Sequence, residues 1–433
     1  RVGKSYLLFN IFREHLIESG VAEDHIISII LDDRRFIQYQ DPDVLYQYIT
    51  SRITDDNQYY ILLDEVQMLK EFESVLNSLL HIRNADIYVT GSNSRFLSKD
   101  IITEFRGRGD EVHVYPLSFA EFMSAYEKTA HDKWNEYKTF SAGWKEYYTY
   151  GGLPYILTRK TEAQKIQYLS SLFKETYLKD IISRNNIKND IGLETILDIL
   201  SSSVGSLTNP KRIADTFKTT GENPQLTTTT VKKYLDCLED AYIISSAKRY
   251  DVKGRKYIGT PLKYYFEDIG LRNVRINFRQ QEETHIMENI IYNELRMRGY
   301  SVDVGVVEKS EEKENHVWSR RQYEVDFVVN LGSRRYYIQS AYQMPDGDKT
   351  NQEKRPLLSI NDSFADILAM QHNEPLLINR TKHVENVDLL YYTLNSVQQL
   401  GLRNPTLFVN HFGKGNKKLN DLLAQYIDNI ILL

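Results

Sequence analysis

Gly3, Lys4 and Ser5 have the types and spacing needed to bind phosphate. They match the end of a phosphate-binding loop, in which backbone N–H groups and a lysine contact the phosphates and a hydroxyl contacts Mg²⁺. The amphipathic stretch from Ser5 to Glu18 predicts a helix whose positive end adds to this attraction. The alternative is a surface lysine before an ordinary helix. The motif's first glycine would precede Arg1, so we expect residues upstream and a site that is empty or weakly occupied in this sequence.

Two acids after an apolar run could supply metal and water chemistry. In "YYILLDE", Asp64 would share Mg²⁺ with Ser5, and Glu65 would polarise the water that attacks the γ-phosphate. The alternative is that both acids only mark a helix start, where acidic residues are favoured. The next apolar run, "ADIYVTGSNS", ends in small polar groups, of which Asn93 or Ser92 could contact the γ-phosphate or position water. These three signals occur in the order that a nucleotide site requires.

The elements that must position these residues are strands that alternate with helices. "HIISIILDD", "YYILLDE" and "ADIYVTGSNS" have the β-branched, continuously apolar character of buried parallel strands. Helical stretches such as "EFESVLNSLLHIR" lie between them. We therefore predict an α/β fold with a doubly wound parallel sheet, of the P-loop NTPase class. Ligands bind such sheets at the carboxyl ends of the strands.

The middle of the chain predicts a helical region followed by a winged helix. "YGGLPYIL" suggests a turn between helices, because of its glycines and proline. "LTNPKRIADTF" and "LTTTTVKKYLDCLEDAYII" then predict two helices, and "SSAKRYDVKGRKYI" predicts a strand pair. Helix, turn, helix and hairpin is the order of a winged helix.

Exposed basic residues on this winged helix are candidate DNA contacts. They are Lys232 and Lys233 on the second helix, and Lys253, Arg255 and Lys256 at the hairpin. Lysine and arginine at such positions neutralise phosphates and release counterions, without base-specific contacts. The alternative is a protein-docking module with an ordinary solvated surface. We expect weak, largely sequence-independent binding of double-stranded DNA.

Composition sets the limits on these hypotheses. A chain of 433 residues predicts about two to four domains. The net charge is −5, so DNA binding would need a local basic patch. The single cysteine, Cys237, fits a reducing cytoplasm. We expect no membrane segment, because no apolar run approaches the roughly 20 residues of a spanning helix. The sequence has neither a zinc-binding pair of histidines one helical turn apart nor a G-x-S-x-G nucleophile elbow.

The motifs together resemble a known family. The chain is similar to prokaryotic AAA-type ATPases that carry a restriction-endonuclease-like carboxyl domain of unknown function. The resemblance rests on "RVGKSYLL", "YYILLDEVQML", "VTGSNSRFLS", "RGRGDEVHVYPLSFAEF", "YGGLPYI", "YYFEDIGLRN", "ENIIYNELRMRGYSVDVG" and "YEVDFVV". It implies four regions: an ATPase domain (1–133, with its Walker A loop incomplete), a helical connector (134–203), a winged helix (204–275) and a nuclease-like domain with a tail (276–433).

The resemblance also implies two sets of residue roles. Arg108, beside Arg106, matches an arginine that would contact the γ-phosphate, within one chain or across a subunit boundary in a homo-oligomer. In the carboxyl region, Glu288, Asp326 and Gln339 match the metal-binding positions of a nuclease. Ala341 stands where the nuclease lysine is expected, so this site would be degenerate. Alternatively, the acids are structural remnants paired with nearby arginine or tyrosine groups.

The favoured hypothesis is an ATPase that binds ATP and Mg²⁺ and couples them to a DNA-binding winged helix and an inactive nuclease-like domain. In it, Gly3, Lys4, Ser5 and Asp64 bind the nucleotide, while Glu65, Asn93 and Arg108 act in catalysis. The alternatives are a nucleotide-regulated DNA- or protein-binding regulator without significant turnover, and a Mg²⁺-dependent nuclease.

Overall fold

The computed structural model describes residues 2–91, 109–129, 136–221, 226–279, 282–313, 317–332, 334–341, 355–357, 359–360, 365–371, 375–378, 407–409 and 430–432. The chain divides into two compact units, of which the first comprises residues 1–116 and 240–242. The second comprises residues 117–239 and 243–433.

The first unit contains a parallel sheet of three strands. They are β1 (Ile26–Ile30), β2 (Tyr59–Asp64) and β3 (Ala85–Val89), with β2 in the centre. The register pairs Ile30 with Asp64 and Leu63 with Val89, so the three strands end at the same edge. The predicted parallel α/β sheet is confirmed here.

The central strand is covered on both faces. Ile61, Leu62 and Leu63 are all fully buried. Ile61 and Leu63 belong to one apolar cluster, whereas Leu62 packs with Leu8 and Leu16 in another. Because both faces are buried, the strand is continuously apolar and does not alternate.

The helices of the first unit follow the predicted order. They are α1 (Lys4–Tyr6), a π-helical turn (Leu7–Phe12), α2 (Arg13–Glu18), α3 (Pro42–Arg52) and α4 (Phe72–Leu79), with short 3₁₀ turns at Glu23–His25, Arg34–Gln40 and Val66–Met68. Helix α3 begins at Pro42 because the Asp41 carboxylate accepts hydrogen bonds from the N–H groups of Asp43 and Val44, at 3.1 and 3.2 Å.

The first helical segment differs from the predicted amphipathic helix. Leu8 and Leu16 are buried, but Leu7 and Ile11, which share the predicted apolar spacing, are exposed. The π-helical turn from Leu7 to Phe12 is wider than an α-helical turn, so it shifts the phase of the side chains. A period of 3.6 residues per turn therefore misplaces part of this face.

The second unit begins with a largely helical region, and two more helices follow the hairpin. The helices in order are α5 (Phe119–Thr129), α6 (Glu136–Tyr150), α7 (Glu162–Ser171), α8 (Lys179–Arg184), α9 (Asp190–Ser202), α10 (Pro210–Thr220), α11 (Thr228–Asp240), α12 (Ile269–Arg275) and α13 (Glu283–Met297), with a 3₁₀ turn at Pro154–Thr158 and a π-helical turn at Leu172–Leu178. Helices α10 and α11 are the two helices that the sequence predicted before the hairpin.

Two sequence motifs of the second unit meet at Asp268. The Asp268 carboxylate caps helix α12 by accepting from the Leu271 N–H at 3.1 Å, and it also accepts from the Gly152 N–H at 2.8 Å. Gly151 has a φ of 82°, and a Cβ there would lie 2.3 Å from Asp268 Oδ1. The first glycine of this pair is therefore needed for the close approach of this carboxylate.

Gly151→Ala is expected to lower the free energy of unfolding by about 3 kcal/mol, because a left-handed backbone and a steric clash with Asp268 act together. Gly299→Ala is the matched control. Gly299 has a φ of 80°, but beyond its chain neighbours no heavy atom of the described residues lies within 4 Å of the point that an alanine methyl group would occupy. The control should lose only about 1 kcal/mol. Urea unfolding of both variants measures the difference, and equal losses would show that contact with Asp268 contributes nothing.

The described residues of the second unit also contain an eight-stranded mixed sheet. Its order is β11–β10–β9–β8–β7–β5–β6–β4. The strands are β4 (Leu207–Thr208), β5 (Ile244–Asp251), β6 (Lys256–Phe266), β7 (Ser301–Lys313), β8 (Val317–Leu331), β9 (Arg334–Ala341), β10 (Ala365–Gln371) and β11 (Pro375–Ile378). Two further strands, β12 (Leu407–Val409) and β13 (Ile430–Leu432), pair with each other in parallel.

The predicted hairpin is part of this large sheet. Strands β5 and β6 are antiparallel, as predicted, but β5 also pairs in parallel with β7, from Arg249 opposite Val304 to Asp251 opposite Val306. One sheet therefore runs through the regions that the sequence analysis assigned to the winged helix and to the nuclease-like domain.

Helix α13 is bonded to this sheet through buried amides. The Asn289 side chain accepts from the Phe266 N–H and donates to the Phe266 carbonyl, both at 2.8 Å. Asn293 donates to the same carbonyl at 2.9 Å. These bonds satisfy backbone groups at the end of β6 and fix the rotation of α13, which carries Glu288.

Candidate functional site

The residues from Gly3 to Ser5 lie at the start of the first helical segment. Gly3 has a left-handed backbone with a φ of 96° and precedes Lys4, the first helical residue. The Gly3 carbonyl accepts from the Leu7 N–H at 2.8 Å, which continues the helix. A side chain at position 3 would be strained, so glycine is required by conformation.

The structure brings together Ser5 and Asp64, the two residues for which the sequence analysis expected a shared metal. The Ser5 hydroxyl donates to Asp64 Oδ1 at 3.1 Å. Asp64 is the last residue of β2 and is only 4% exposed. The Ser5 hydroxyl and the Asp64 carboxylate are therefore in direct contact at the end of β2.

The Lys4 side chain lies across the ends of β2 and β3. Its ammonium group donates to the carbonyl of Gly91, two residues after β3. Burial lowers the pKa of Lys4 below its ordinary value, and the carboxylates of Glu65 and Asp64 oppose that shift. The lysine is therefore directed to the strand edge where ligands bind parallel sheets.

Thr90 is a site residue that the sequence analysis did not select. Its hydroxyl donates to Asp64 Oδ1 and accepts from the Glu65 N–H at 3.2 Å. It therefore fixes both acids relative to β3. The available signal was its position as the first polar residue after the third apolar run.

Glu65 has an unusual backbone for its residue type. Its φ of 52° and ψ of 46° lie in the left-handed region, which costs a residue with a Cβ about 1 kcal/mol or more. The Val66 N–H donates to the Thr90 carbonyl at 3.0 Å, which holds the turn. The Gln67 amide donates to Glu65 Oε2, a contact that the sequence analysis also missed. Such strain is typical of residues whose side chain must point in one direction.

The predicted DNA contacts are exposed on two elements. Lys232 and Lys233 lie on the exposed face of α11. Lys253, Arg255 and Lys256 are exposed at the turn between β5 and β6, where the Asp251 carboxylate accepts from the Gly254 N–H at 2.9 Å. Within this turn, Arg255 has a left-handed backbone, with a φ of 51°.

The predicted nuclease residues lie together, with a lysine that was not predicted. Asp326 donates its N–H to Gln339 Oε1 at 3.4 Å and accepts from the Ser340 N–H at 2.7 Å. Lys263, on β6, donates to Glu288 Oε1 at 2.9 Å. The sequence analysis placed the expected lysine at position 341, on β9, and did not consider β6.

The charges in this cluster shift one another strongly. Burial, followed by the Glu288 carboxylate, raises the pKa of Asp326 well above its ordinary value. Burial alone would lower the pKa of Lys263, but Glu288, Asp326 and Glu324 outweigh it and raise that pKa. The neighbouring carboxylates thus favour the charged form of Lys263. Among the described residues, no group of three or more histidine, cysteine, aspartate or glutamate side chains could hold a metal ion.

Comparison with known proteins supports the assignment of the first unit. Residues 1–123 match the family described as "AAA domain". The chain is also 32% identical, over 369 residues, to an uncharacterized protein of Haemophilus influenzae, covering 85% of this chain and 86% of the relative. The chain belongs to the AAA-type ATPase family.

Two further family models match this AAA-type protein outside its AAA domain, and a second relative is less similar in sequence than the first. Residues 141–282 match a domain of unknown function, DUF8612, and residues 338–430 match a protein of unknown function, DUF3822. The uncharacterized protein MJ1544 of Methanocaldococcus jannaschii is 27% identical over 365 residues, with coverage of 84% of this chain and 77% of the relative. A Walker-type ATPase of Pyrococcus abyssi superposes with a TM-score of 0.39 and 11% identity, over 64% of this chain and 98% of that chain. That score is too low to support a comparison of details.

The AAA domain presents the oxygen atoms that Mg²⁺ prefers. The Ser5 hydroxyl and the Asp64 carboxylate are both hard oxygen ligands and are 3.1 Å apart. These two side chains would hold Mg²⁺ together with nucleotide phosphates. Asn93, Ser92, Arg106 and Arg108, which were predicted beside the γ-phosphate, lie outside the described residues. No helix in the described part of the AAA-type protein is long and apolar enough to cross a membrane.

Proposed function

We propose that this protein binds ATP with Mg²⁺ and hydrolyses it at the edge of the three-stranded sheet. The hydrogen bond from Ser5 to Asp64 supports this proposal most directly, because it joins the phosphate-binding segment to the strand that carries both acids. Lys4 reaches the same edge, as its contact with the Gly91 carbonyl indicates. The alternative, a surface lysine before an ordinary helix, does not predict these contacts.

Each side chain has a role that follows from its position. Lys4 exchanges its bond to the Gly91 carbonyl for bonds to the β- and γ-phosphates. Ser5 and Asp64 hold Mg²⁺, which supplies neutralisation of phosphate charge when bound. Thr90 keeps Asp64 in place through its hydroxyl.

Glu65 accepts a proton from the attacking water in this proposal. Its left-handed backbone and the hydrogen bond from Gln67 determine where its carboxylate points. Asn93 is proposed to position the water, and Arg108 to stabilise the charge on the γ-phosphate. These last two assignments follow from the resemblance of "VTGSNSRFLS" and "RGRGDEVHVYPLSFAEF" to the family motifs.

A turnover assay tests this function. Phosphate release from ATP is measured with the whole protein carrying a complete phosphate-binding loop, with and without double-stranded DNA. Slow release that requires Mg²⁺ is expected, with a higher rate when DNA is present. No release under either condition would contradict ATP hydrolysis and favour the regulator hypothesis, in which nucleotide binds without turnover.

We further propose that the second unit binds double-stranded DNA through its hairpin and helix α11. The five exposed basic residues Lys232, Lys233, Lys253, Arg255 and Lys256 support this, since phosphate contacts need exposed cations and no base-specific side chain. ATP would then control how the protein engages DNA, and the nuclease-like region would serve as an inactive scaffold.

Replacing Lys253, Arg255 and Lys256 together by alanine is expected to weaken DNA binding about tenfold or more at low salt. The slope of log affinity against log salt concentration should fall by about two to three, because each phosphate contact contributes about 0.9. Fluorescence anisotropy with a labelled duplex measures both values. The control replaces three exposed lysines of the helical region, Lys145, Lys160 and Lys188. An equal effect of both triple variants would contradict a hairpin-specific contact.

A further inference from the structure

Thr90 is bonded to strand β2 and to the turn that follows it through its N–H, its carbonyl and its hydroxyl. The N–H donates to the Leu63 carbonyl at 2.9 Å, and the carbonyl accepts from the Val66 N–H at 3.0 Å. The hydroxyl donates to Asp64 Oδ1 and accepts from the Glu65 N–H at 3.2 Å. Thr90 therefore contacts each residue of the segment that carries the two acids.

The Thr90 hydroxyl has a direction that its surroundings determine. The main chain of Thr90 is bonded on both sides of its Cα, and a β-branched side chain has few rotamers available to it. The single hydroxyl hydrogen is donated to Asp64, so a lone pair accepts from the Glu65 N–H. A valine at position 90 has nearly the same shape but can make neither bond.

The turn that this hydroxyl holds is strained. Glu65 has a φ of 52° and a ψ of 46°, which is an unfavourable backbone for a residue with a Cβ. Such a conformation persists only where the surrounding structure enforces it. The bonds of Thr90 to the N–H groups of Glu65 and Val66 do so at the start of the 3₁₀ turn Val66–Met68. Without the hydroxyl, the first of these two bonds is lost.

Gln67 acts on the same glutamate in a different way. Its amide donates to Glu65 Oε2, but Gln67 belongs to the turn itself. This contact directs the carboxylate relative to the turn, whereas the Thr90 hydroxyl places the turn relative to strand β3. The position of the carboxylate at the edge of the sheet depends on both.

We infer that Thr90 is a positioning residue for ATP hydrolysis, which acts through the backbone of Glu65. This inference rests on the proposed function, because it takes Glu65 as the group that accepts a proton from the attacking water. A displacement of about 1 Å can cost as much as 100-fold in rate. Thr90 should therefore affect the rate of hydrolysis far more than the affinity for ATP.

The test compares phosphate release with nucleotide affinity in the full chain carrying a complete phosphate-binding loop. At saturating ATP and Mg²⁺, Thr90→Val should release phosphate about tenfold to 100-fold more slowly than the wild type. Its affinity for a fluorescent ATP analogue should stay within about threefold. Thr90→Ser keeps the hydroxyl and should restore the rate to within about threefold. Saturating Mg²⁺ removes from the rate any weakening of metal binding that follows from the lost bond to Asp64.

Two further variants separate positioning from a general loss of structure. Thr54→Val removes an exposed hydroxyl that lies 3.3 Å from the Tyr59 hydroxyl, at the other end of β2, and should leave the rate within about twofold. In a Glu65→Gln background, Thr90→Val should lower the rate by less than about twofold more, because the group that it positions is already lost.

Three results would overturn the inference while leaving the proposed ATPase function intact. They are normal phosphate release by a folded Thr90→Val protein, a loss of ATP affinity in proportion to the rate, and a double variant Glu65→Gln/Thr90→Val whose loss equals the product of the two single losses. No release by the wild type would contradict the proposed function and the inference together. If circular dichroism shows that Thr90→Val does not fold, Thr90→Ala, which also lacks the hydroxyl, provides the same comparison.

Discussion

Lys4→Ala is expected to reduce ATP affinity roughly 100-fold or more. In the proposed site, the lysine bonds to two phosphates, and each hydrogen bond to a charged group contributes about 1.5–3 kcal/mol. The fold should be retained, because the only hydrogen bond of the Lys4 side chain in the described residues is to the Gly91 carbonyl. Titration of a fluorescent ATP analogue, on a protein with a complete phosphate-binding loop, measures the affinity.

Lys70→Ala is the matched control for this variant. Lys70 is an exposed lysine of the same unit that lies after the 3₁₀ turn at Val66–Met68. Its removal changes the net charge equally but should leave ATP affinity within about twofold, since an exposed charge is screened by solvent. Equal affinities for wild type and Lys4→Ala would mean that the site assignment is wrong.

Local sequence patterns predicted the arrangement around Asp64 because they encode it directly. A parallel strand buried on both faces must be continuously apolar, and Ile61, Leu62 and Leu63 meet that requirement. The polar residue that follows such a strand must lie at the edge of the sheet. Two such parallel strands side by side therefore place Asp64 near the end of β3, independently of the conformation of the loops that connect them.

Contacts between distant segments were not predictable in the same way. Thr90 bonds to Asp64 because the register sets Leu63 beside Val89, and a register is fixed by tertiary packing. Lys263 is the clearest case. Its place in the cluster depends on a parallel pairing between β5 and β7, which puts the hairpin in the same sheet as β8. No spacing in the sequence indicates that neighbour.

The missing lysine at position 341 illustrates what motif comparison can and cannot give. The structure brings Glu288, Asp326 and Gln339, which the motif comparison selected, into one cluster, since helix α13 packs against strands β8 and β9. The motif specifies a lysine only on β9, the strand that carries position 341. The positive charge of the cluster comes instead from β6, where Lys263 contacts Glu288 and Glu324.

Glu65→Gln is expected to reduce phosphate release about 100-fold or more while ATP affinity stays within about threefold. A glutamine has the same shape as glutamate but cannot accept a proton from water, and general base catalysis contributes about 10²–10⁴ in rate. The hydrogen bond from the Gln67 amide can be kept by the glutamine carbonyl, so the left-handed turn at Glu65 should persist. Glu65→Gln should therefore lower the rate of phosphate release without lowering ATP affinity, whereas Lys4→Ala is expected to lower the affinity itself.

Glu71→Gln is the control that isolates this chemistry from charge and strain. Glu71 is an exposed glutamate of the same unit and also has a left-handed backbone, with a φ of 47° against 52° for Glu65. The two variants remove one negative charge each, from residues of similar conformation. Phosphate release should be normal in Glu71→Gln and nearly lost in Glu65→Gln, with nucleotide binding measured on the same samples. If Glu65→Gln instead lost affinity and rate in proportion, Glu65 would be a binding residue, and the water would have to be activated by another group.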